Sequence, residues 1–200
     1  MIITVPIPLE KAAERTVPVP AYDGLKMSLE NYLHWAPPEP DGFKYEWNDG
    51  VLEADESMKL EEVKIFQNIN RKFVLTDAYR QGAELVMEVE CRLTKINKVR
   101  RPDICALTAE QIRNPEREES NIPAFVIEII SPFNASWEVE TKMRDYFKAG
   151  VKNVWHVYPN AAEVRVYYSP KNIKVCTDDD LCEAGPAFPD FSIKASDIFV

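Results

Sequence analysis

Two acids and a lysine stand where their types and spacing could do chemistry. The stretch "AFVIEIISP" (124–132) is nearly pure strand core, yet Glu128 sits in its middle. At the two-residue period of a strand, Phe125, Ile127 and Ile129 face one way, and Val126, Glu128 and Ile130 the other. Both faces are apolar apart from that carboxylate, as in a strand covered on both sides. An ionised acid there costs several kcal/mol, in order of magnitude roughly, unless a metal, a cation or hydrogen-bond donors compensate it. Asp103 follows Pro102 at the head of the preceding short strand, and Lys142 lies in the helix that follows Glu128. If the two strands are neighbours, the carboxylates converge at one edge of a sheet. Two carboxylates completed by waters and substrate phosphates are a usual way to hold Mg²⁺, with Mn²⁺ as a substitute. Such an ion polarises a phosphate and helps make hydroxide from water. A nearby ammonium then orients the nucleophile and stabilises the negative charge that builds on phosphorus. Without a metal, Glu128 reads as half of a buried ion pair with Lys142.

The elements that must position these groups are legible from pattern. Ser28 caps a short helix in "MSLENYLHWA" (27–36), which "PPEP" stops. "FKYEWNDGVLEA" (43–54) reads as a hairpin around Asn48-Asp49-Gly50. Leu60, Val63, Phe66, Ile69 and Phe73 recur at helical spacing, which predicts one helix from Ser57 to Gly82. Alternation in "AELVMEVECRL" (83–93) predicts one strand with a wet acidic face, and "RPDICAL" (101–107) a short strand opened by proline. A polar, interrupted helix or loop (108–120), the strand carrying Glu128 and a helix ending at Gly150 follow. Glu138, Lys142 and Tyr146 share one face of that helix. Three strands (152–159, 163–170 and 172–177) and a closing strand with an anchoring turn complete the chain. This order predicts an α+β fold: a mixed central sheet flanked by helices.

Composition bounds the rest. Two hundred residues suit one domain, with a proline-rich extended arm over 1–24 and a single domain over 25–200. With 46% hydrophobic and 28% charged residues, the chain has an ordinary globular composition. No apolar run is long enough for a membrane span, and the first residues lack the basic and apolar regions of a secretory signal, so a cytoplasmic location is expected. The four cysteines have no C-x-x-C spacing and there are two histidines, which favours reduced core thiols over a zinc site. His156 reads as a satisfied strand histidine, and Trp47 and Trp155 as packing residues. The net charge of −9 excludes a broadly basic nucleic-acid binder but leaves room for a local groove. Two basic runs, Lys95, Lys98, Arg100 and Arg101, and Lys64, Arg71 and Lys72, read as solvated surface on charge alone.

In order and spacing, "YEWNDG" (45–50), "PDI" (102–104), "EIISPFN" (128–134), "EVETKMRDYFKAGVKNVWHVYP" (138–159) and "FPDFSIKASDIF" (188–199) resemble a bacterial family. It is the Uma-type "putative restriction endonuclease" family, a former domain of unknown function, in the PD-(D/E)xK nuclease superfamily. The family pattern is a "YELIDG"-like hairpin, then "PDV", "EVLSPST", a helix with D-x-x-x-K-x-x-x-Y and "YWIVDP". The likeness spans roughly residues 25–200. It implies a restriction-endonuclease-like core and Mg²⁺-dependent hydrolysis of DNA that leaves a 5′-phosphate. By that resemblance, Asp103 and Glu128 hold the metal, the main-chain carbonyl of Ile129 is a further ligand, and Glu46 helps hold the metal or orient its water. The superfamily lysine two places after the glutamate is replaced by Ile130, so Lys142 supplies the ammonium. The Lys95–Arg101 run would meet DNA, in binding that is weak and strongly salt-dependent given the acidic remainder unless an oligomer joins two grooves, and a homodimer is expected by analogy. This chain has Glu138 for the helix aspartate, "SPFN" for "SPST" and "VYP" for "VDP". The altered "SPFN" and the negative charge motivate an alternative: a catalytically degenerate fold kept as a binding or assembly module.

Overall fold

A computed structural model describes residues 19–115, 122–132 and 134–200. The chain opens with α1 (Leu29–Leu33), β1 (Phe43–Asn48) and β2 (Val51–Glu56), followed by α2 (Leu60–Phe73) and α3 (Asp77–Arg80). Next come β3 (Glu84–Met87), β4 (Cys91–Leu93), β5 (Lys98–Arg100), β6 (Ile104–Leu107), α4 (Ala109–Arg113) and β7 (Phe125–Ile129). After α5 (Ser136–Ala149) run β8 (Asn153–Tyr158), β9 (Glu163–Ser169), β10 (Asn172–Cys176), β11 (Leu181–Glu183), β12 (Ser192–Lys194) and α6 (Ala195–Ile198).

The expected mixed sheet has the order β10-β9-β8-β7-β6-β3, with β7 and β8 its one parallel pair. β7 is buried along its whole length. Phe125, Ile127 and Ile129 pack with Trp155, Phe188, Phe191 and the α2 residues Ile65, Ile69 and Phe73. Val126, on the other face, packs with Met143, Tyr146 and Ala149 of α5. Glu128 shares that second face, as the two-residue period requires.

A second sheet, absent from the sequence reading, has the order β2-β1-β5-β4 and is antiparallel throughout. Its β1–β2 hairpin turns on Asp49 and Gly50, both at positive φ (46° and 96°), the requirement of a tight two-residue turn. The sheet is two-faced. Tyr45, Trp47, Leu52 and Val99 form an apolar cluster with Tyr32 of α1. The alternate positions of β1, β2 and β5 carry charge: Lys44 stands opposite Asp55 and Glu46 opposite Glu53. β11 and β12 form a separate ribbon.

Three expectations are corrected. The helix expected over 57–82 is two helices, because Thr76 caps α3: its hydroxyl accepts from Tyr79 N and donates to Phe73 O. The strand expected over 83–93 breaks at Glu88, at φ 51°, which sends β3 and β4 to different sheets. The run "LTKINKVRRPD" is only in part solvated surface: Lys95 is exposed, but Lys98-Val99-Arg100 is β5 and Arg100 is 2% exposed. Residues 1–18 of the expected arm, 116–120 of the expected polar segment and Phe133 of "SPFN" lie outside the described residues. All four cysteines are buried and free. Among the described residues no helix is long and apolar enough to cross a membrane.

Candidate active site

Register brings the two acids together. β6 and β7 are antiparallel neighbours with Ile104 opposite Ile127, so the next positions outward, Asp103 and Glu128, face each other on one side of the sheet. Ile129 N donates to Asp103 Oδ2 at 2.8 Å, and Asp103 N approaches Glu128 Oε2 at 3.4 Å. From α5, Tyr146 donates its hydroxyl to Glu128 Oε1 at 2.5 Å. Burial, with the Asp103 carboxylate beside it, pushes Glu128 up to about 8, against the pull of Lys142 and Lys44. That carboxyl is poised to hold a proton until a further positive charge arrives.

The charged face of the small sheet closes over this pair. Lys44 Nζ lies 2.6 Å from Asp103 Oδ1 and 3.6 Å from Asp55. Glu46, 1% exposed, accepts from Arg101 N at 2.7 Å and pairs with Arg100 at 2.8 Å and Lys142 at 3.1 Å. Burial works against its charge, yet Lys142 and Arg100 outweigh it and hold Glu46 down at about 2. Arg100 also binds Glu53 at 2.6 Å and Asp145 of α5 at 2.9 Å, and Lys98 joins Asp145 at 2.8 Å. Lys142 reaches Asp55 at 2.6 Å. Burial lowers the affinity of Lys142 and Lys44 for a proton, but Glu46 and Asp55 around the first, and Asp103 and Asp55 around the second, reverse this. Both ammonium groups stay charged, and neither is a general base near neutral pH.

All five residues singled out from the sequence, Glu46, Asp103, Glu128, Ile129 and Lys142, line one cleft of about 480 Å³. Their roles within it differ in geometry. Asp103 and Glu128 form a buried acidic pair, whereas both oxygens of Glu46 are engaged by protein cations and an N–H. Among the described residues, no group of three or more His, Cys, Asp or Glu side chains could hold a metal unaided. The donor set therefore fits an ion that takes one or two carboxylates and completes its shell with water and phosphate, as Mg²⁺ does.

Lys44 was missed in the sequence, although the alternation that singles out Glu46 in β1 places Lys44 on the same face. The basic run near 95–101 does not form an outward groove. Lys98 and Arg100 turn inward to carboxylates, and Arg101, partly exposed, is 3.6 Å from Glu90. His156 is buried as expected but not satisfied: among the described residues neither ring nitrogen has a partner. Burial and the charge of Arg165 bring it down to about 4, so it is neutral at pH 7. Trp47 and Trp155 are core residues, as read.

Comparison with known proteins agrees with this architecture. One solved structure similar to the chain is a putative nuclease of the DUF820 group from Anabaena variabilis. It superposes with a TM-score of 0.70 at 19% identity, over 86% of this chain and 97% of that one, which establishes a shared fold. No curated protein matches the chain. A family model described as "Putative restriction endonuclease", Uma2, matches residues 29–196 and so takes in both sheets, α5 and every residue of the cleft discussed above. By that match the chain belongs to the Uma2 family.

Proposed function

We propose that the chain hydrolyses phosphodiester bonds of DNA at the Asp103–Glu128 pair, with a divalent cation as cofactor. The observation that carries the reading is the β6–β7 register, which sets two buried carboxylates side by side in a cleft that also contains Lys142. Asp103, Glu128 and the main-chain carbonyl of Ile129 would hold Mg²⁺ or Mn²⁺, which supplies Lewis-acid polarisation of the phosphate and a hydroxide at neutral pH. Lys142, charged throughout the working range, stabilises negative charge that develops on the phosphate oxygens. Glu46 acts as a positioning residue, fixing Lys142 and Arg100. Lys44 fixes Asp103. DNA as substrate follows the family description, and a homodimer follows analogy with superfamily nucleases, which commonly work as dimers.

One observation favours the alternative, a catalytically degenerate binding or assembly module: Lys44 already neutralises Asp103, and Lys142 leans on Asp55 rather than on either metal-binding acid. Hydrolysis of a labelled DNA with Mg²⁺ or Mn²⁺ separates the two. The nuclease reading expects Asp103→Asn and Glu128→Gln to lose at least about a hundredfold in rate, a scale typical of lost electrostatic catalysis. It also expects divalent metal to raise the melting temperature of the wild type and not of Asp103→Asn. Absence of hydrolysis together with no metal-dependent shift in melting temperature leaves the binding module.

A further inference from the structure

Trp137 is 68% exposed, in the first turn of α5, on the wall of the cleft that holds Asp103, Glu128 and Lys142. The other three tryptophans are packed. Trp47 and Trp155 are buried, and Trp35 is half-buried with edge contacts to Tyr22 and Tyr45. Among the described residues Trp137 has no aromatic partner, although tryptophan is on average one of the most buried residue types.

Two further observations say what it meets. First, the cleft offers little free positive charge. Arg100 and Lys142, the cations in its wall, each already have a carboxylate at 2.6 Å, in a chain of net charge −9. Neutralising a run of duplex phosphates is therefore a weak source of affinity here. Stacking is charge-independent, and away from its ends a duplex has no free π-face to offer, since its bases already stack on one another. Second, the cleft has a neighbour. Ile130, Ser131, Asn134 and Val139 line both it and an adjoining cavity of about 520 Å³. That cavity is walled by His156, Tyr158, Arg165 and Tyr167, and the Arg165 guanidinium lies 4.5 Å from the centre of the Tyr158 ring. Each space is of the size that encloses one small organic ligand, about 300–1,000 Å³, and so suits a nucleotide better than a double helix.

We infer that the substrate is an unpaired DNA strand, one base of which stacks on Trp137 while a neighbouring nucleotide enters the Arg165–Tyr158 cavity. The inference rests on the nuclease reading for its substrate and on Trp137 for its selectivity. Its test needs no metal. Binding of a fluorescently labelled oligothymidylate is measured by anisotropy in EDTA, and its displacement by unlabelled strand is compared with displacement by relaxed closed-circular duplex DNA, which has neither ends nor loops. The strand should bind at least about tenfold more tightly than the closed duplex, as one base–aromatic stack allows. It should also quench the emission of the exposed tryptophan. Trp137→Ala should weaken strand binding by about tenfold, and Trp137→Phe should restore most of it. Because the side chain is exposed, both variants should melt like the wild type. Equal affinity for strand and closed duplex, or strand binding unchanged in Trp137→Ala, overturns the inference. Strand binding without hydrolysis in Mg²⁺ would instead sink the nuclease reading and leave the stacking site standing.

Discussion

Glu128 is the residue on which the electrostatics turn. Its pKa in the folded chain, about 8, stands above the ordinary 4.5, so between those values the folded state holds a proton that the unfolded state has released. Stability without divalent metal should therefore fall as pH rises from 4.5 through about 8, by a few kcal/mol in order of magnitude. Glu46 has the opposite sign. Depressed to about 2, it contributes stability that is present above 4.5 and lost as pH falls toward 2. Chemical denaturation across pH in EDTA checks both: Glu128→Gln should remove the fall on the alkaline side and leave the acid limb in place. A wild-type curve flat from pH 5 to 8 would show that Glu128 is ionised throughout and that its cations already suffice. In the metal-binding reading, Mg²⁺ at neutral pH should also displace close to one proton. Calorimetric titration in buffers of different ionisation enthalpy would register that release.

At the level of elements, β1 and α5 do the positioning. Alternation along β1 sends Tyr45 and Trp47 into the small sheet's core, Glu46 into the cleft wall and Lys44 onto Asp103. The hairpin turn fixes that register, because a shift of one residue would exchange the two faces. Arg100 of β5 is the bolt between sheet and helix, bound to Glu46, Glu53 and Asp145 at once. Replacing it with methionine leaves Glu46 and Asp145 buried with fewer partners, and should cost about 3–5 kcal/mol, the scale of a broken buried ion pair. The further substitution of Asp145 by asparagine should recover part of that loss. Denaturant unfolding of the single and double variants measures it, and an Arg100→Met protein as stable as wild type would show that the network adds nothing net.

For the whole molecule, the decisive feature is the direction in which charge points. The acids outnumber the bases, and the bases nearest the cleft are paired inward. DNA binding, expected from the basic run to depend strongly on salt, should instead depend on it weakly because Lys98 and Arg100 are paired inward, with a slope of log affinity against log salt corresponding to about one or two phosphate contacts. Titrations between low and moderate salt test this. A steep slope would mean that a basic surface outside the cleft, or a second subunit, carries the DNA.

Much of this was open to reading in the sequence because it depends on local periodicity. The burial of both faces of β7, the face on which Glu128 lies, the hairpin at Asp49-Gly50 and the shared face of Glu138, Lys142 and Tyr146 all follow from repeats of two or 3.6 residues. The order of motifs was enough to indicate the family. Tertiary structure alone decided which charges meet. Lys44 and Arg100 looked like surface residues or went unremarked because a charged side chain carries no pattern that tells solvent from a buried carboxylate. The break at Glu88 and the cap at Thr76 were likewise invisible, since each is a local backbone choice whose reason, a second sheet or a packed corner, lies elsewhere in the chain. The sequence by itself determined that an acid would sit in the core. Only the pairing of β6 with β7, and of a second sheet over both, determined which groups would have to keep it there.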